Sequence, residues 1–414
     1  MKEISGLIVR KKDVLLYLIC LVAIFVSDDT ITFGTNNSTF FIALKYIIFI
    51  VTFLCVFLYK PLQFLKKDRL LRHVYFSFLL FIAFTIFFCG FSGGYLYQVL
   101  LLTIAFLIVN KFDVDLLLYY FLRIVYFLAF MSIIGSILYI LLPSVIQALP
   151  VTLNLEKVHF YNGGIFAAIG YVEVYRNSGI FREPGVFMIY LNLALAIQLL
   201  YFKVYERRYI VVLSLALFLT LSTAGFLIYA LVLMSVYFEN ASRIKFINKF
   251  IVVGFAIICT TAVLSNSFIF DNVFSKISGD TVKEGSALAR QASIFANIKI
   301  FSENMWFGVG LRGFENAFEV ATYSLYSIKL GIGNNTNTLG SIFAVYGIFM
   351  GSLIIYLLSK LIAFFSKKAL VRFFFTLAII SMISNEDLRF SLVFYLLLLL
   401  PLKKDNSLNV IIRR

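Results

Sequence analysis

Two arginines and a carboxylate lie in a short stretch of chain that runs directly into an apolar span. The stretch reads Arg176-Asn-Ser-Gly-Ile-Phe-Arg182-Glu183-Pro184-Gly185. Arginine offers a planar fork that suits paired contacts with phosphate oxygens, and burial does not remove its charge. Proline is favourable at the first position of a helix, where the free N–H groups of the following residues attract anions. These residue types and their spacing predict an anion site.

A structural alternative stands beside that interpretation. Glu173 precedes the stretch, so that Glu173, Arg176, Arg182 and Glu183 gather within eleven residues. The arginines would then pair with the two glutamates and tie the chain at the lipid interface. Ligand binding is favoured because a second long polar stretch, at 267–336, adds six more basic residues to the same compartment.

The second polar stretch contains a predicted amphipathic helix from Ser286 to Ser302. Its apolar face consists of Leu288, Ile294, Ile298 and Phe301, while Arg290, Asn297 and Lys299 lie outside that face.

The segment Trp306-Phe-Gly308-Val-Gly310-Leu-Arg312-Gly313 follows and predicts a close turn. It lacks the preceding strand and the Lys-Ser/Thr pair of a nucleotide-binding loop. Arg290 and Arg312 are the anion-binding candidates of the second stretch.

Amide side chains open the span that follows. Asn334, Asn335 and Asn337 either cap its first N–H groups or offer paired donors and acceptors to sugar hydroxyls. Near the end of the chain, the segment 385–387 reads Asn-Glu-Asp, and Arg389 is its expected partner. We interpret that last set as structural rather than catalytic.

The elements that must position these residues are membrane helices. Hydrophobic residues make up 62% of the 414 positions and charged residues 14%, with a mean hydropathy of +0.97, whereas soluble domains are about a quarter charged. A bilayer core of about 30 Å needs roughly 20 apolar residues in a helix. Twelve apolar spans are predicted, at 13–33, 39–59, 74–92, 95–110, 116–142, 186–203, 209–222, 224–239, 250–266, 337–358, 370–386 and 389–402. The pair around residue 222 could instead be one long tilted helix.

The expected fold is therefore all-α and polytopic, with one transmembrane domain over 1–414. Two extracytoplasmic loops, 143–185 and 267–336, would cap an outer cavity. Most of the 36 Lys and Arg residues lie in the chain ends and in alternate connections, which places both termini in the cytoplasm. The first span has no small-residue cleavage site after it and is interpreted as an uncleaved helix.

Composition also argues against several classes of function. The net charge of +15 is explained by topology and by anionic lipid headgroups, without nucleic acid. The four cysteines lie in apolar spans without paired spacing, and the two histidines are predicted on opposite sides of the membrane, so neither a metal site nor a cofactor is expected.

Ionisable residues are scarce inside the spans. Lys45 and Arg123 are the exceptions, and both are expected to reach toward the headgroups. A coupled transporter would need carboxylates or a broken helix near the midplane, and neither is expected here.

The order of these features resembles the Wzy-type O-antigen and polysaccharide repeat-unit polymerases, and more distantly the WaaL-type O-antigen ligases. The resemblance covers nearly the whole topology. It rests on three segments, 176–187, 290–310 and 335–347, the last with Tyr346-Gly347 inside the tenth predicted span. It implies a bacterial inner-membrane enzyme without cofactors that acts at the outer membrane face.

The resemblance further implies the substrate and partners. The substrate would be an oligosaccharide repeat unit on undecaprenyl diphosphate, and a chain-length regulator protein would be a partner. Arg176, Arg182 and Arg290 would stabilise the departing diphosphate, and Glu183 would act as general base, with Glu173 second. Glu173, Arg312, Asn334, Asn335 and Asn337 are the expected substrate-binding residues.

Two departures from the family pattern are informative. The ligases carry a functional histidine near the start of the helix matched by 335–347, and this chain has asparagine and threonine there, which favours a polymerase. Relatives often have proline where this chain has Met305 or Trp306. A ligase remains one alternative, and a lipid-linked oligosaccharide flippase or a scaffold protein would be alternatives of other classes.

Overall fold

The computed structural model shows a protein built mainly of helices. It describes residues 11–34, 38–59, 68–153, 159–169, 176–240 and 284–403. The helices of the first half are α1 (Lys11–Phe25), α2 (Ile31–Gly34), α3 (Thr39–Leu58), α4 (Arg69–Cys89), α5 (Gly93–Lys111), α6 (Val114–Leu141) and α7 (Pro143–Gln147). Those of the second half are α8 (Pro184–Ala196), α9 (Arg207–Leu219), α10 (Thr223–Glu239), α11 (Glu284–Glu303), α12 (Gly310–Tyr326), α13 (Thr338–Phe365), α14 (Ala369–Asn385) and α15 (Leu392–Leu399).

Eleven of the twelve predicted spans coincide with helices, and the twelfth, 250–266, lies outside the described residues. Six described helices are long and apolar enough to cross a membrane: Thr39–Leu58, Arg69–Cys89, Gly93–Lys111, Val114–Leu141, Pro184–Tyr201 and Thr338–Phe365. Large apolar side chains remain exposed along α3 and α4, as on Phe40 (65%) and Phe87 (80%). Such exposure is what lipid-facing surfaces require.

The central helix of the bundle begins at Pro184. It continues through a π-helical turn, Ile197–Tyr201, and is almost entirely buried over its length. It contacts α6, α9 and α10. The segment around residue 222 forms two helices, because a turn with Leu221 at φ +48° separates α9 from α10 and the Ser222 hydroxyl accepts from the Gly225 N–H at 3.2 Å.

The first long polar loop carries a small sheet that the sequence did not predict. Strands β1 (Val151–Leu153), β2 (His159–Asn162) and β3 (Ala167–Ile169) pair antiparallel in the order β1-β2-β3. Thr152 lies opposite Phe160, and Phe160 lies opposite Ile169. The loop also holds the short helix α7, so it forms a folded cap beside α6.

Helix α13 is broken at Gly347, which corrects the expectation that no span is interrupted. Gly347 has φ +74°, and a Cβ there would lie 2.2 Å from the Trp306 carbonyl oxygen. The freed backbone groups find partners in the segment 305–313 after α11, which we call the glycine turn. The Val309 N–H donates to the Ala344 carbonyl at 3.0 Å, and the Ile348 N–H donates to the Met305 carbonyl at 2.8 Å. The break is therefore satisfied internally, as burial in a membrane demands.

The predicted amphipathic helix exists as α11, but its expected apolar face is not the packed one. Ile294 and Ile298 are 37% and 55% exposed, whereas small and polar residues are buried. The buried set consists of Ala292, Ser293, Ala296, Asn297 and Ile300. The helix packs on α12 and α13. Two side chains of the buried set, Ser293 and Asn297, bond to Asn335, which keeps this side of the helix turned inward.

Lys45 does not reach toward headgroups as expected. Its Nζ lies 2.5 Å from the Asp28 carboxylate and 5.1 Å from the centre of the Tyr97 ring. Asp28 follows α1 in the chain and offers a nearby opposite charge, so an internal ion pair replaces the lipid contact.

Replacing Gly347 tests the broken helix. Gly347→Ala would place a Cβ against the Trp306 backbone at a positive φ, and we expect a loss of roughly 2 kcal/mol or more. Gly331→Ala is the control, since nothing lies within 4 Å of its Cβ position. The thermal midpoint in detergent, followed by size-exclusion chromatography, should fall for the first variant only. Equal midpoints for the two variants would contradict the close approach.

Candidate functional site

The turn between α14 and α15 gathers the charges of the candidate site. We call the segment Glu386–Arg389 the Glu386 turn. Glu386 accepts from Arg182 Nη2 at 3.3 Å, and the Asp387 carbonyl accepts from the same nitrogen at 3.4 Å. Arg182 belongs to the first long loop, so this pair joins two segments that are 204 residues apart.

Glu386 lies against the first turn of α8. A Cβ on Gly185 would approach the Glu386 Oε1 to 2.3 Å, so only glycine admits the carboxylate there. The residue is 2% exposed. Burial raises its pKa to about 8, and the negative charge of Glu183 acts in the same direction, while Arg182 and Arg290 oppose it. A buried carboxyl with such a pKa is a marker of functional sites.

Arg182 is held by its backbone and its side chain. Its N–H donates to the Asp29 carbonyl at 2.9 Å, which joins it to the segment after α1. Burial alone would lower its pKa, but Glu386, Glu183 and other nearby carboxylates outweigh burial and raise the pKa. Its Nε is buried and has no hydrogen-bond partner among the described residues, so the guanidinium retains a donor.

Asp29 is the second buried carboxylate of this region, at 2% exposure. Its Oδ2 accepts from the Tyr190 hydroxyl at 2.6 Å and from the Ser391 hydroxyl at 2.7 Å. These bonds tie α8 and the start of α15 to the segment after α1. These two side-chain bonds therefore also fix the Asp29 carbonyl, which accepts from the Arg182 N–H.

Asp387 pairs with Arg389 inside the same turn, as the sequence predicted for Arg389. The Nη2–Oδ2 distance is 2.6 Å, and the Arg389 side chain is only 3% exposed. The guanidinium also lies 4.7 Å from the centre of the Phe314 ring of α12. Burial lowers the pKa of Arg389 and the Asp387 charge raises it, with a net rise.

Asn335 connects the Glu386 turn to α11. Its Oδ1 accepts from Ser293 Oγ at 2.7 Å and from Asn297 Nδ2 at 2.9 Å, and its Nδ2 donates to Asp387 Oδ2 at 3.1 Å. Thr338 holds the same turn, because its hydroxyl donates to the Glu386 carbonyl and accepts from the Leu388 N–H at 2.9 Å.

The other two asparagines have local partners. Asn337 caps α13, since its Oδ1 accepts from the Gly340 N–H at 2.8 Å, and this confirms the capping interpretation. The Asn334 amide is 3.5 Å from the Gly331 carbonyl. Sugar recognition by Asn334, Asn335 and Asn337 stays a prediction.

Arg176, Arg290 and Glu183 complete the assembly. Arg176 Nε donates to the Thr220 carbonyl at 3.2 Å, at the turn between α9 and α10. Burial and the charge of Arg290 lower the pKa of Arg176, and Glu183 opposes them, so the three charges interact. Glu183 precedes the first residue of α8 and is exposed. Neither Arg176 nor Arg290 forms a salt bridge within the described part of the chain.

We call Arg176, Arg182, Arg290, Glu183 and Glu386 the arginine cluster. The structure thus brings together the four residues predicted to be catalytic. The Arg312 guanidinium lies instead beside Gly90, where α4 meets α5, and the residue is exposed. Glu173 lies outside the described residues.

Sequence reasoning missed the part played by Glu386 and Asp29. The structural interpretation of Glu386 omitted its contact with Arg182, and the sequence assigned no role to Asp29. A usable signal existed, because carboxylates at the ends of apolar spans must find cationic partners when they are buried. What the sequence lacked was the identity of those partners.

Metal ligands and known relatives give no further direction. No group of three His, Cys, Asp or Glu residues within the described ranges is placed to hold a metal ion. Searches of protein-family models and of curated proteins found no match to this chain.

Asp387→Asn tests the buried ion pair. The change leaves Arg389 buried without its counter-charge, and we expect a loss of about 3–5 kcal/mol. Glu206→Gln is the matched control, because its partner Arg208 has a side chain that is 72% exposed, and such pairs contribute about 1 kcal/mol or less. Thermal midpoints in the same detergent should separate the two variants. Similar midpoints would contradict the role of the Glu386 turn.

Glu386→Gln tests the raised pKa. Because the folded state holds this proton more tightly, the stabilisation is fully present below pH 4.5 and is lost as the pH rises toward 8. The thermal midpoint of the wild type, relative to that of Glu386→Gln, should therefore fall as the pH rises from 4.5 to 8. Glu315→Gln, an exposed change on α12, should keep the wild-type slope. Parallel slopes for all three proteins would contradict the shift.

Proposed function

We propose that this chain is a Wzy-type polymerase that joins oligosaccharide repeat units carried on undecaprenyl diphosphate. The observation that carries the proposal is the arginine cluster, in which the charges of three arginines act on Glu183 and Glu386. Arg176 and Arg290 interact with each other and form no salt bridge among the described residues. Like charges held together in this way favour a multiply charged anion between them.

Three segments that carry the family resemblance meet at this cluster. Arg182 belongs to the first, Ser293 and Asn297 to the second, and Asn335 and Thr338 to the third. The Glu386 turn contacts the first through Arg182 and the third through Asn335 and Thr338. The second reaches the turn through Asn335. This convergence supports a shared site for residues that are distant in sequence.

The orientation follows from the distribution of basic residues. The proposal places twelve spans in the bacterial inner membrane, with both termini in the cytoplasm and the arginine cluster at the periplasmic face. The loops 143–185 and 267–336 would then cap the site from outside. A lipid-linked diphosphate presents its charge at that level of the membrane.

The proposed reaction transfers the growing chain from its carrier to the next unit. A hydroxyl oxygen of the acceptor sugar attacks the anomeric carbon, and the bond from that carbon to the diphosphate oxygen breaks. The electron pair leaves on the diphosphate, whose added charge Arg176, Arg182 and Arg290 stabilise. The hydroxyl proton passes to Glu183, the exposed carboxylate of the cluster.

Glu386 has a positioning role in this scheme. It is too buried to meet a substrate, and it fixes the Arg182 guanidinium through Nη2 while Nε keeps its donor. Holding the guanidiniums in place before the substrate arrives is what makes such charge stabilisation effective.

Transport is the competing function of another class. The break at Gly347 removes one argument against it, since transporters use broken helices. In this chain, however, the freed backbone groups bond to the glycine turn rather than remaining open to an ion. The ligase alternative would transfer the finished chain to a lipid acceptor and would form no ladder of lengths.

A ladder assay tests the proposal. Purified protein in liposomes receives repeat units linked to undecaprenyl diphosphate, and the products are separated by length. The wild type should form a ladder, and Arg182→Ala should lose about 100-fold or more in rate, the usual effect of removing one charge-stabilising donor. Arg176→Ala and Glu183→Ala should also be impaired.

Lys329→Ala is the control, because this exposed lysine lies in the second long loop but makes no described contact with the cluster. It should keep the ladder. Movement of the lipid-linked unit across the bilayer without any ladder would overturn the proposal in favour of transport. Transfer of a single preformed chain to a lipid acceptor would favour the ligase.

A further inference from the structure

A cleft of about 580 Å³ lies between α1, α6 and α9, away from the arginine cluster. Its polar lining consists of two arginines and four tyrosines, and its apolar lining of one valine and two phenylalanines. These residues are Val14, Tyr17, Tyr120, Arg123, Tyr126, Phe127, Phe130, Arg208 and Tyr209. The proposed reaction does not use this cleft.

The cleft lies toward the opposite end of the bundle from the arginine cluster. The central helix runs from Pro184, at the cluster, to Tyr201, a length of 18 residues or about 27 Å. The Tyr201 hydroxyl donates to Asp115 in the first turn of α6, and α9 begins six residues later at Arg207. Both the start of α6 and the start of α9 therefore lie one membrane thickness from the cluster.

Both arginines of the cleft have capacity for an anion. Arg123 is exposed and forms no salt bridge within the described ranges, and its guanidinium carbon lies 5.5 Å from the centre of the Tyr119 ring. Arg208 pairs with Glu206 at 2.9 Å, yet its side chain remains 72% exposed. Among the described side chains, Glu206 is the one acidic group that pairs with these two cations, which leaves a net positive charge on this set.

An apolar track leads from Arg123 into the membrane. Phe127 and Phe130 follow at four and seven positions along α6, which places all three side chains on one face of that helix. Both rings are 47% exposed. The track thus offers a cation at the end nearer the start of α6 and aromatic surface about 6 and 10 Å further along the helix. This order matches a phosphate headgroup with an acyl chain beneath it.

We propose that this cleft binds an anionic phospholipid of the phosphatidylglycerol type. The headgroup phosphate lies between Arg123 and Arg208, tyrosine hydroxyls of the cleft wall contact the glycerol oxygens, and an acyl chain covers Phe127 and Phe130. Charge complementarity selects an anionic lipid, because a zwitterionic headgroup would add a third cation to the two arginines. The site does not depend on the proposed polymerase activity.

Native mass spectrometry and thermal midpoints test the proposal on the full chain. Detergent-purified protein is titrated with phosphatidylglycerol and, separately, with phosphatidylcholine. Phosphatidylglycerol should be retained and should raise the midpoint, while phosphatidylcholine should do neither. Arg123→Gln and Arg208→Gln should each bind phosphatidylglycerol about fivefold more weakly, the effect of one basic residue beside anionic lipid.

Arg207→Gln is the matched control, since this exposed neighbour of Arg208 does not line the cleft. It should bind as the wild type does. Equal retention of both lipids, or unchanged phosphatidylglycerol binding in Arg123→Gln and Arg208→Gln, would overturn the proposal. An equal rise in midpoint with inorganic phosphate alone would overturn the lipid assignment in favour of a simple anion site.

Discussion

The arrangement of the helix bundle around the Glu386 turn depends on one constraint: charges withdrawn from water into a helix bundle must find partners. Glu386 and Asp387 follow α14, where the chain turns back toward α15. Arg182, from the first loop, pairs with Glu386, and Arg389 pairs with Asp387. Each pairing places a backbone segment as well as a charge, so the electrostatic requirement also decides how α8, α13 and α15 approach one another.

A second requirement concerns backbone hydrogen bonds in an apolar surrounding. Interrupting α13 at Gly347 frees an N–H and a carbonyl, and the turn after α11 supplies a partner for each. Glycines on both sides allow the close approach, since Gly308 has φ +68° and Gly347 has φ +74°. The glycine-rich turn thus braces a broken helix, and the same contact fixes α11, whose Ser293 and Asn297 reach toward Asn335.

Patterns of local origin predicted the helices well. The helix at Ser286–Ser302 and the cap at Asn337 are consequences of neighbouring residues, and the structure confirms them. Of the predicted apolar spans, those within the described residues are helical, and six described helices are long and apolar enough to cross a membrane. Contacts between residues that are far apart in the sequence were harder to predict. The outward orientation of Ile294 and Ile298 and the internal partner of Lys45 contradict what periodicity and snorkelling suggested. The packed side of α11 is the one whose Ser293 and Asn297 bond to Asn335, a partner that helical periodicity does not reveal.

Hydropathy and span length act locally, so the residue pattern alone established a helical chain that is suited to a membrane. It also determined which arginines were available for an anion, since their charge survives burial. Only the tertiary structure decided which of them meet. Arg290 joins Arg176 and Arg182 while Arg312 lies beside Gly90, and Glu386 becomes the partner of Arg182. These contacts arise from packing between helices that are distant in sequence, so the spacing of residues along the chain does not predict them.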